Sequence, residues 1–513
     1  MSESNGPWPN VPLDALASEM CLGKMLDKNK NRGTLQPYLR NVNVRWLSFD
    51  LSNMKEMRFE PGEESRFGLN PGDLVICEGG EPGRAAVWKG QADNARIQKA
   101  LHRVRFRADE YDPKFAAYFL YFGTTTNRFA KHYTGTTIKH LTGKALRQVE
   151  FPVPPLAEQR RIVAKIEELF SDLEAGVAAL TRTRANLKRY RASVLKAAVE
   201  GALTAEWRIQ HPQVEPASKL LERILIERRR QWEADQLAKF SAAGKQPPNN
   251  WQAKYVEPSP PDTTNRSILP VGWCWASVEQ VGDVQLGRQR SPKNRSEKFP
   301  TKYIRAANLT EAGLALDDIL DMEFQPSELK TYRLHRGDIL LSEASGSPDQ
   351  VGKPVVWNGE IEDCCFQNTV IRLKPTLAQS AYLLVVFRHF YVNKVFTKVA
   401  AGVGINHLSA AKFSRIVVPL APLSEQTEIV ATVSEKLSQI ESAEVAIEHS
   451  LRRAARLRQS ILKQAFEGKL VPQDPTDEPA SAILDRIRFE QRDATDTGIP
   501  QASRKRRRQG EVS

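Results

Sequence analysis

The sequence predicts an α+β protein in which two repeated mixed α/β domains alternate with two long coiled-coil helices, and two observations carry that expectation. The first is an internal repeat. Residues 152–203, beginning PVPPLAEQRRIVAKIEELF, align without a gap with residues 419–470, beginning PLAPLSEQTEIVATVSEKL, at a constant offset of 267 residues and with 21 identities over 52 positions. A repeat of this kind sets the architecture before any single element is read. The second is the period inside each copy, where apolar residues alternate steps of four and three, the pattern of a coiled-coil seam.

The segment 1–151 reads as the first mixed domain. Leu74–Cys77, Ala85–Trp88 and His102–Phe106 are strand-like runs separated by PGD and EPG turns. Phe115–Phe122 is apolar enough for a buried helix, and Asp112-Pro113 supplies its start. The domain closes on a Gly/Thr loop, 133–141, flanked by lysines. Such a loop offers amides, hydroxyls and cations to a phosphate, and it is equally an ordinary turn.

Region 152–205 holds the first long helix, expected over 158–199. Its seam runs through Ile162, Ile166, Leu169, Leu173, Gly176, Leu180, Thr183, Leu187, Tyr190 and Val194, and eight of these ten are apolar. At 1.5 Å per residue it would span roughly 60 Å. Its outer face carries Arg160, Arg161, Arg182, Arg184, Lys188, Arg189 and Arg191, to be read either as a solvated face or as a DNA contact. Region 206–269 contains a second helix, 216–240, and a Pro/Asn-rich linker.

Residues 270–418 restart the first domain. Tyr38, Arg40 and Asn43 return as Tyr303, Arg305 and Asn308, Gly72-Asp73 as Gly337-Asp338, Glu78 as Glu343, and His140-Leu141 as His407-Leu408. Segments 91–97 and 345–351 match poorly, so the two domains should differ in function there. Region 419–472 holds the second long helix, expected over 425–466, with a seam broken by Lys436 and Ser450 and therefore weaker than the first. Region 473–513 begins with an echo of the second helix, PASAILDRI for PASKLLERI, and ends in a basic tail expected to be disordered.

Composition narrows the class. A hydrophobic fraction of 41% and 20 Phe fill real cores, and no run reaches the roughly 18 apolar residues of a membrane span. Five cysteines without CxxC spacing fit a reducing, cytoplasmic location. A formal charge of +13 favours an anionic partner such as nucleic acid, although RKRRR at 504–508 supplies part of it. Catalytic machinery is missing from the sequence. Gly346–Pro354 has one residue too many for a P-loop and lacks its Ser/Thr. No adenine-methyltransferase motif or nuclease cluster is found, Cys364-Cys365 has no zinc-ligand spacing, and the repeated histidines read as loop holders. The chain reads as a binding protein with no catalytic or metal site.

With the two PPLxEQ starts, the long helices and the EGxL exits assembled, the chain resembles the specificity (S) subunit of type I restriction–modification enzymes over roughly residues 10–490. The resemblance implies two target-recognition domains, each reading one half of a bipartite double-stranded DNA site. It implies antiparallel helices with a pseudo-twofold relation that fix the spacer and dock two methyltransferase (M) subunits, to which restriction/translocase (R) subunits add. Adenine N6 methylation or ATP-dependent cleavage is then delivered by those partners. No cofactor is expected on this chain, and S-adenosylmethionine, ATP and Mg are implied for the partners. A coiled-coil scaffold without sequence-specific DNA binding is the competing class.

The candidate base-reading residues are polar or basic positions in poorly repeated loops: Arg84, Asn94, Arg96, Arg288, Arg290, Lys293, Ser345 and Lys353. Candidates for phosphate positioning are Thr136, Thr137, Lys139, Lys144, Asn406 and Lys412. Glu158, Gln159, Glu425 and Gln426 open the long helices, as caps or as subunit contacts.

Overall fold

The computed structural model describes residues 7–27, 29–107, 110–135, 137, 139–289, 298–343, 350–400 and 407–496, with side chains to 489. The chain divides into two compact units. One combines Met1–Thr181 with Glu448–Ser513, and the other is Arg182–Ile447. Each long helix is a single 44-residue element, Leu156–Val199 and Leu423–Phe466, and gives one half to each unit.

In the first unit a four-stranded antiparallel sheet runs Ala17–Leu22, Leu101–Phe106, Leu74–Cys77, Ala85–Val87 in spatial order. Leu74–Cys77 is buried along its whole length, as an apolar run covered on both faces must be. One face is covered by the helix Pro113–Thr125. That helix starts where the sequence says: the Asp112 carboxylate accepts from the Lys114 and Phe115 amides, with Pro113 at the first turn. A smaller sheet, Lys55–Phe59, Thr34–Leu39, Arg96–Ile97, covers the other side. The strand Asn10–Pro12, ahead of the domain, pairs with Glu150–Pro152, behind it. Both ends of the domain are thereby brought to the start of the first long helix.

The second unit repeats this plan element for element. Its four-stranded sheet is Gly282–Leu286, Val370–Pro375, Ile339–Ser342, Pro354–Val356, its smaller sheet Leu320–Glu323, Pro300–Ile304, Cys365–Phe366, and its closing pair Cys274–Ser277 with Val417–Leu420. The repeated polar residues have structural work. The Asn43 and Asn308 side chains each bridge the amide of the preceding arginine, Arg40 or Arg305, to a loop carbonyl, at 2.9–3.1 Å. Asp73 and Asp338 each accept a turn amide, from Asn70 and His335.

Within each unit the first half of one long helix packs antiparallel against the second half of the other. In the first unit Ile162, Ile166 and Phe170 share a core with Leu462, Ala465 and Phe466, and Arg458 pairs with Glu174. In the second unit Val194, Leu195 and Ala198 share one with Ile429 and Val433, and Arg191 pairs with Glu444. Burial reverses the expected ranking of the seams. Among the described residues the first helix buries none between Phe170 and Val194, whereas the second buries Ile440, Ile447 and Ala454. The helices Ala217–Ala242 and Ala480–Asp496 each dock one face, through Leu220 and Ile224 or Ile483 and Ile487. Among the described residues no helix is long and apolar enough to cross a membrane.

Candidate nucleic-acid interface and helix-end junctions

The Gly/Thr loop of the first unit is closed by two backbone bonds between Thr134 and His140, 2.9 and 2.8 Å, around Gly135 at φ +93°. Thr137 and Lys139 are exposed on it, and Lys144 is exposed on the following short helix, whose first turn Thr142 caps. These three candidates are therefore brought together. Arg84 joins the same end indirectly. It donates to the Asn41 carbonyl at 2.8 Å and to Glu81 at 2.7 Å, while the Asn41 amide donates to the Gly79 carbonyl beside His140. Asn94 is exposed in the left-handed region, at φ 53°, and its carbonyl accepts from Arg96 at 2.9 Å.

In the second unit, Arg288 donates to Glu328 at 2.8 Å and lies over Phe324. The Lys353 ammonium donates to the Leu309 carbonyl at 3.2 Å, and Lys412 to the Ala400 carbonyl at 3.4 Å. Thr136, Arg290, Lys293, Ser345 and Asn406 lie outside the described residues, as do Gly346–Asp349 of the P-loop-like run and the basic tail. His407 places Nε2 3.2 Å from a Glu343 oxygen. Burial pushes the Glu343 carboxyl up, and His407 opposes that shift.

The EQ pairs that open the long helices are buried, and their side chains serve neighbouring elements rather than their own helices. Gln159 accepts from the Asp112 amide at 2.8 Å, and Gln426 from the Gln379 amide at 2.9 Å, so each ties a long helix to the N-cap of its domain's helix. Glu158 accepts from the Trp8 indole at 3.1 Å, and Glu425 from the Trp273 indole at 2.8 Å. The six-membered ring of each indole, at Cζ2, lies against the EGxL glycine of the other long helix. A Cβ on Gly468 would come within 3.3 Å of Trp8, and one on Gly201 within 3.2 Å of Trp273. Both glycines also hold φ +72°, so two constraints fix their identity. One tryptophan per unit thus joins the start of one helix to the exit of the other.

The surroundings of the two glutamates differ. Glu425 also receives the Thr204 hydroxyl at 2.6 Å and the Arg208 guanidinium. The second Glu158 oxygen has no hydrogen-bond partner among the described residues, and burial pushes this carboxyl up. The neighbouring ion pair in the first unit is bidentate, Arg161 to Asp477 at 3.1 and 2.7 Å. Sequence reasoning missed Trp8 and Trp273 although they recur in front of each domain. Thr204, Arg208 and Asp477 carry no repeat to mark them.

The chain matches the family described as type I restriction modification DNA specificity domain over residues 43–180 and 270–452, more than half its length. It belongs to that family. As a specificity subunit it is the non-catalytic, DNA-recognising component of a type I restriction–modification system. It is 24% identical to the StySPI specificity subunit of Salmonella potsdam, over 94% of this chain and 95% of the other. To the EcoKI specificity subunit of Escherichia coli strain K12 it is 25% identical, over 76% and 74%. In fold it is similar to the HsdS subunit from Thermoanaerobacter tengcongensis, with a TM-score of 0.53 and 19% identity over 90% of this chain and 98% of that one. A chain from a structure concerning complex assembly and conformational transition of the type I R-M system gives a TM-score of 0.61 at 20% identity, over 90% and 98%.

Proposed function

We propose that each repeated domain of this specificity subunit reads one half of a bipartite duplex site, and that the paired long helices set the spacer and dock two methyltransferase subunits. Adenine N6 methylation from S-adenosylmethionine, or ATP- and Mg-dependent cleavage, is then performed by the partner subunits, and this chain holds none of those cofactors. One observation carries the reading: the frame of the domain is duplicated element for element, while the loops that differ, around 91–97 and 345–351, are where two readers of different sequences must differ. A single small reader gains about 1–3 kcal/mol per correct base pair, so two on one connector multiply discrimination. A 44-residue helix is about 66 Å long, enough to bridge two major-groove contacts roughly 34–36 Å apart.

The test is methylome sequencing of a host with and without the chain. A bipartite adenine-methylated motif that depends on the chain is expected. Inserting four residues at Ala178, about one helical turn, should change the unmethylated spacer and leave both half-sites intact. An unchanged spacer would sink the role of the helices as a ruler.

A further inference from the structure

In both units one short hairpin has the same frame and a different tip. In the first unit it spans 44–49, with Val44 opposite Phe49 and Arg45 opposite Ser48. In the second it spans 309–314, with Leu309 opposite Leu314 and Thr310 opposite Gly313. Asn43 and Asn308 clamp the base of each through the matching bonds described above. The tip of the first hairpin is held by three further contacts. The Leu47 amide donates to the Ala85 carbonyl at 2.9 Å, the Trp46 indole donates to Glu81 at 2.7 Å, and its ring lies 4.8 Å from that of Tyr121. Together they keep Leu47 at φ 62°, a left-handed conformation that a branched side chain adopts only where its surroundings impose it. Glu81 belongs to the turn 78–84, which also carries the Gly/Thr loop. The Leu141 amide donates to the Glu78 carbonyl at 2.7 Å, and the Tyr133 hydroxyl to the Pro82 carbonyl at 3.3 Å. The hairpin and the loop bearing the exposed Thr137 and Lys139 are therefore fixed to one turn.

What this tip presents is Arg45. Its side chain is 54% exposed, one guanidinium nitrogen donates to Asp50 at 3.3 Å, and its other N–H groups have no partner among the described residues. Asp50 is held in turn by the Ser52 amide and hydroxyl, at 3.1 and 2.6 Å. We propose that Arg45 is a base-reading residue of the first domain, offering the free edge of its guanidinium to the O6 and N7 acceptors of a guanine in the major groove. This rests on the reading of each domain as the reader of one half-site. The contrast with the second hairpin separates a base contact from a phosphate contact. Phosphate contacts carry no sequence information, so two domains built on one frame have reason to share them. Here they share nothing. At the place of Arg45 stands Thr310, whose hydroxyl turns back to the Gly313 carbonyl at 2.8 Å. Beside it Glu311 is exposed and has no partner among the described residues. A carboxylate repels phosphate and accepts from a base amino group, so the second tip cannot make the contact of the first.

The test is methylome sequencing of the intact modification system carrying the full chain, with competition binding of the purified complex to duplexes that differ at single positions. Arg45→Ala should relax one guanine position in one half-site, lowering discrimination there about tenfold to a hundredfold. The other half-site and the spacer should stay as they are. Arg45→Lys keeps the charge and loses the planar fork, and should not restore the guanine preference. Arg45→Gln should move the preference at that position from guanine toward adenine, whose N6 and N7 a carboxamide can meet. Should a variant methylate too little to give a motif, the competition series on the purified complex reads the same position. An unchanged motif with Arg45→Ala overturns the inference. Equal weakening of specific and nonspecific duplexes, or full restoration by lysine, makes Arg45 a phosphate contact and overturns it too. A wild type without any bipartite motif brings down the reading of the domains as half-site readers, whereas a bipartite motif indifferent to Arg45 brings down this inference alone.

Discussion

The two helix-end junctions use the same glutamate, the same tryptophan and the same glycine, and yet their electrostatics are opposite. Glu425 is fully buried and meets three donors, Trp273, Thr204 and Arg208. Among the described residues Glu158 accepts from Trp8 alone. The difference lies in the segment after each helix. By the offset of the repeat, Thr204 corresponds to Val471 and Arg208 to Pro475, so the first unit lacks the side chains that complete the second. It compensates with a pair of reversed polarity, in which the helix supplies the cation, Arg161, and the following segment the anion, Asp477. A repeated motif therefore fixes position, and the unrepeated segment beside it decides how firmly that position is held.

Breaking the stronger junction should have the largest effect. Glu425→Ala removes the buried carboxylate from Arg208, which keeps only the Gly201 carbonyl and the Thr204 hydroxyl, and takes the acceptor from Trp273 and Thr204; it should destabilise the second unit by about 3–5 kcal/mol. Calorimetry should show its transition falling while that of the first unit stays. Glu158→Gln should cost only about 1 kcal/mol and should sharpen the contrast through pH. Because burial raises the Glu158 pKa in the fold above its ordinary 4.5, the folded state holds the proton more tightly than the unfolded one. This contribution is present below pH 4.5 and is lost as pH rises through the folded pKa. The glutamine variant should show a flatter stability–pH curve for the first unit across that window, and a slope equal to wild type would refute the assignment.

Arg161→Ala removes a pair whose arginine is about one-third exposed, and should cost about 0.2–1 kcal/mol, read as a small shift in the first unit's denaturant midpoint. Smallest in stability is Lys139→Ala, which should leave both transitions in place. It should weaken specific and nonspecific duplexes alike and lower the salt slope of binding by about one. Loss confined to one sequence would instead make Lys139 a base reader. Lys412→Ala is the matched control, since its ammonium already donates to the Ala400 carbonyl.

The parts of the fold legible in sequence were those with a local cause or a second copy. Asp112-Pro113 announces its helix because the cap is local, and the strand Leu74–Cys77 because it is apolar throughout. The long helices, expected from 158 and 425, begin two residues earlier, at Leu156 and Leu423. The relative burial of the two seams was not legible, because whether Leu173 or Ile440 is covered depends on what the fold places opposite it and not on its own identity. At the candidate interface, sequence identified exposed Thr137, Lys139 and Lys144 as neighbours, since they lie within one loop and the turn after it. It could not show that Arg84 and Arg288 are already engaged with carboxylates, Arg84 with the nearby Glu81 and Arg288 with Glu328, which only folding brings beside it.

The crosswise division of the long helices bears on the order of synthesis. The second unit is one uninterrupted stretch, Arg182–Ile447, and all its parts have been made before the chain ends. The first unit is discontinuous and needs Glu448 onward. Its Trp8 precedes the first domain in sequence and stays without the Gly468 surface until the second long helix has been made. Domains generally fold as units as they leave the ribosome, so the domain translated first is the one completed last, and a premature stop within the second long helix would cost the N-terminal unit before the one that follows it.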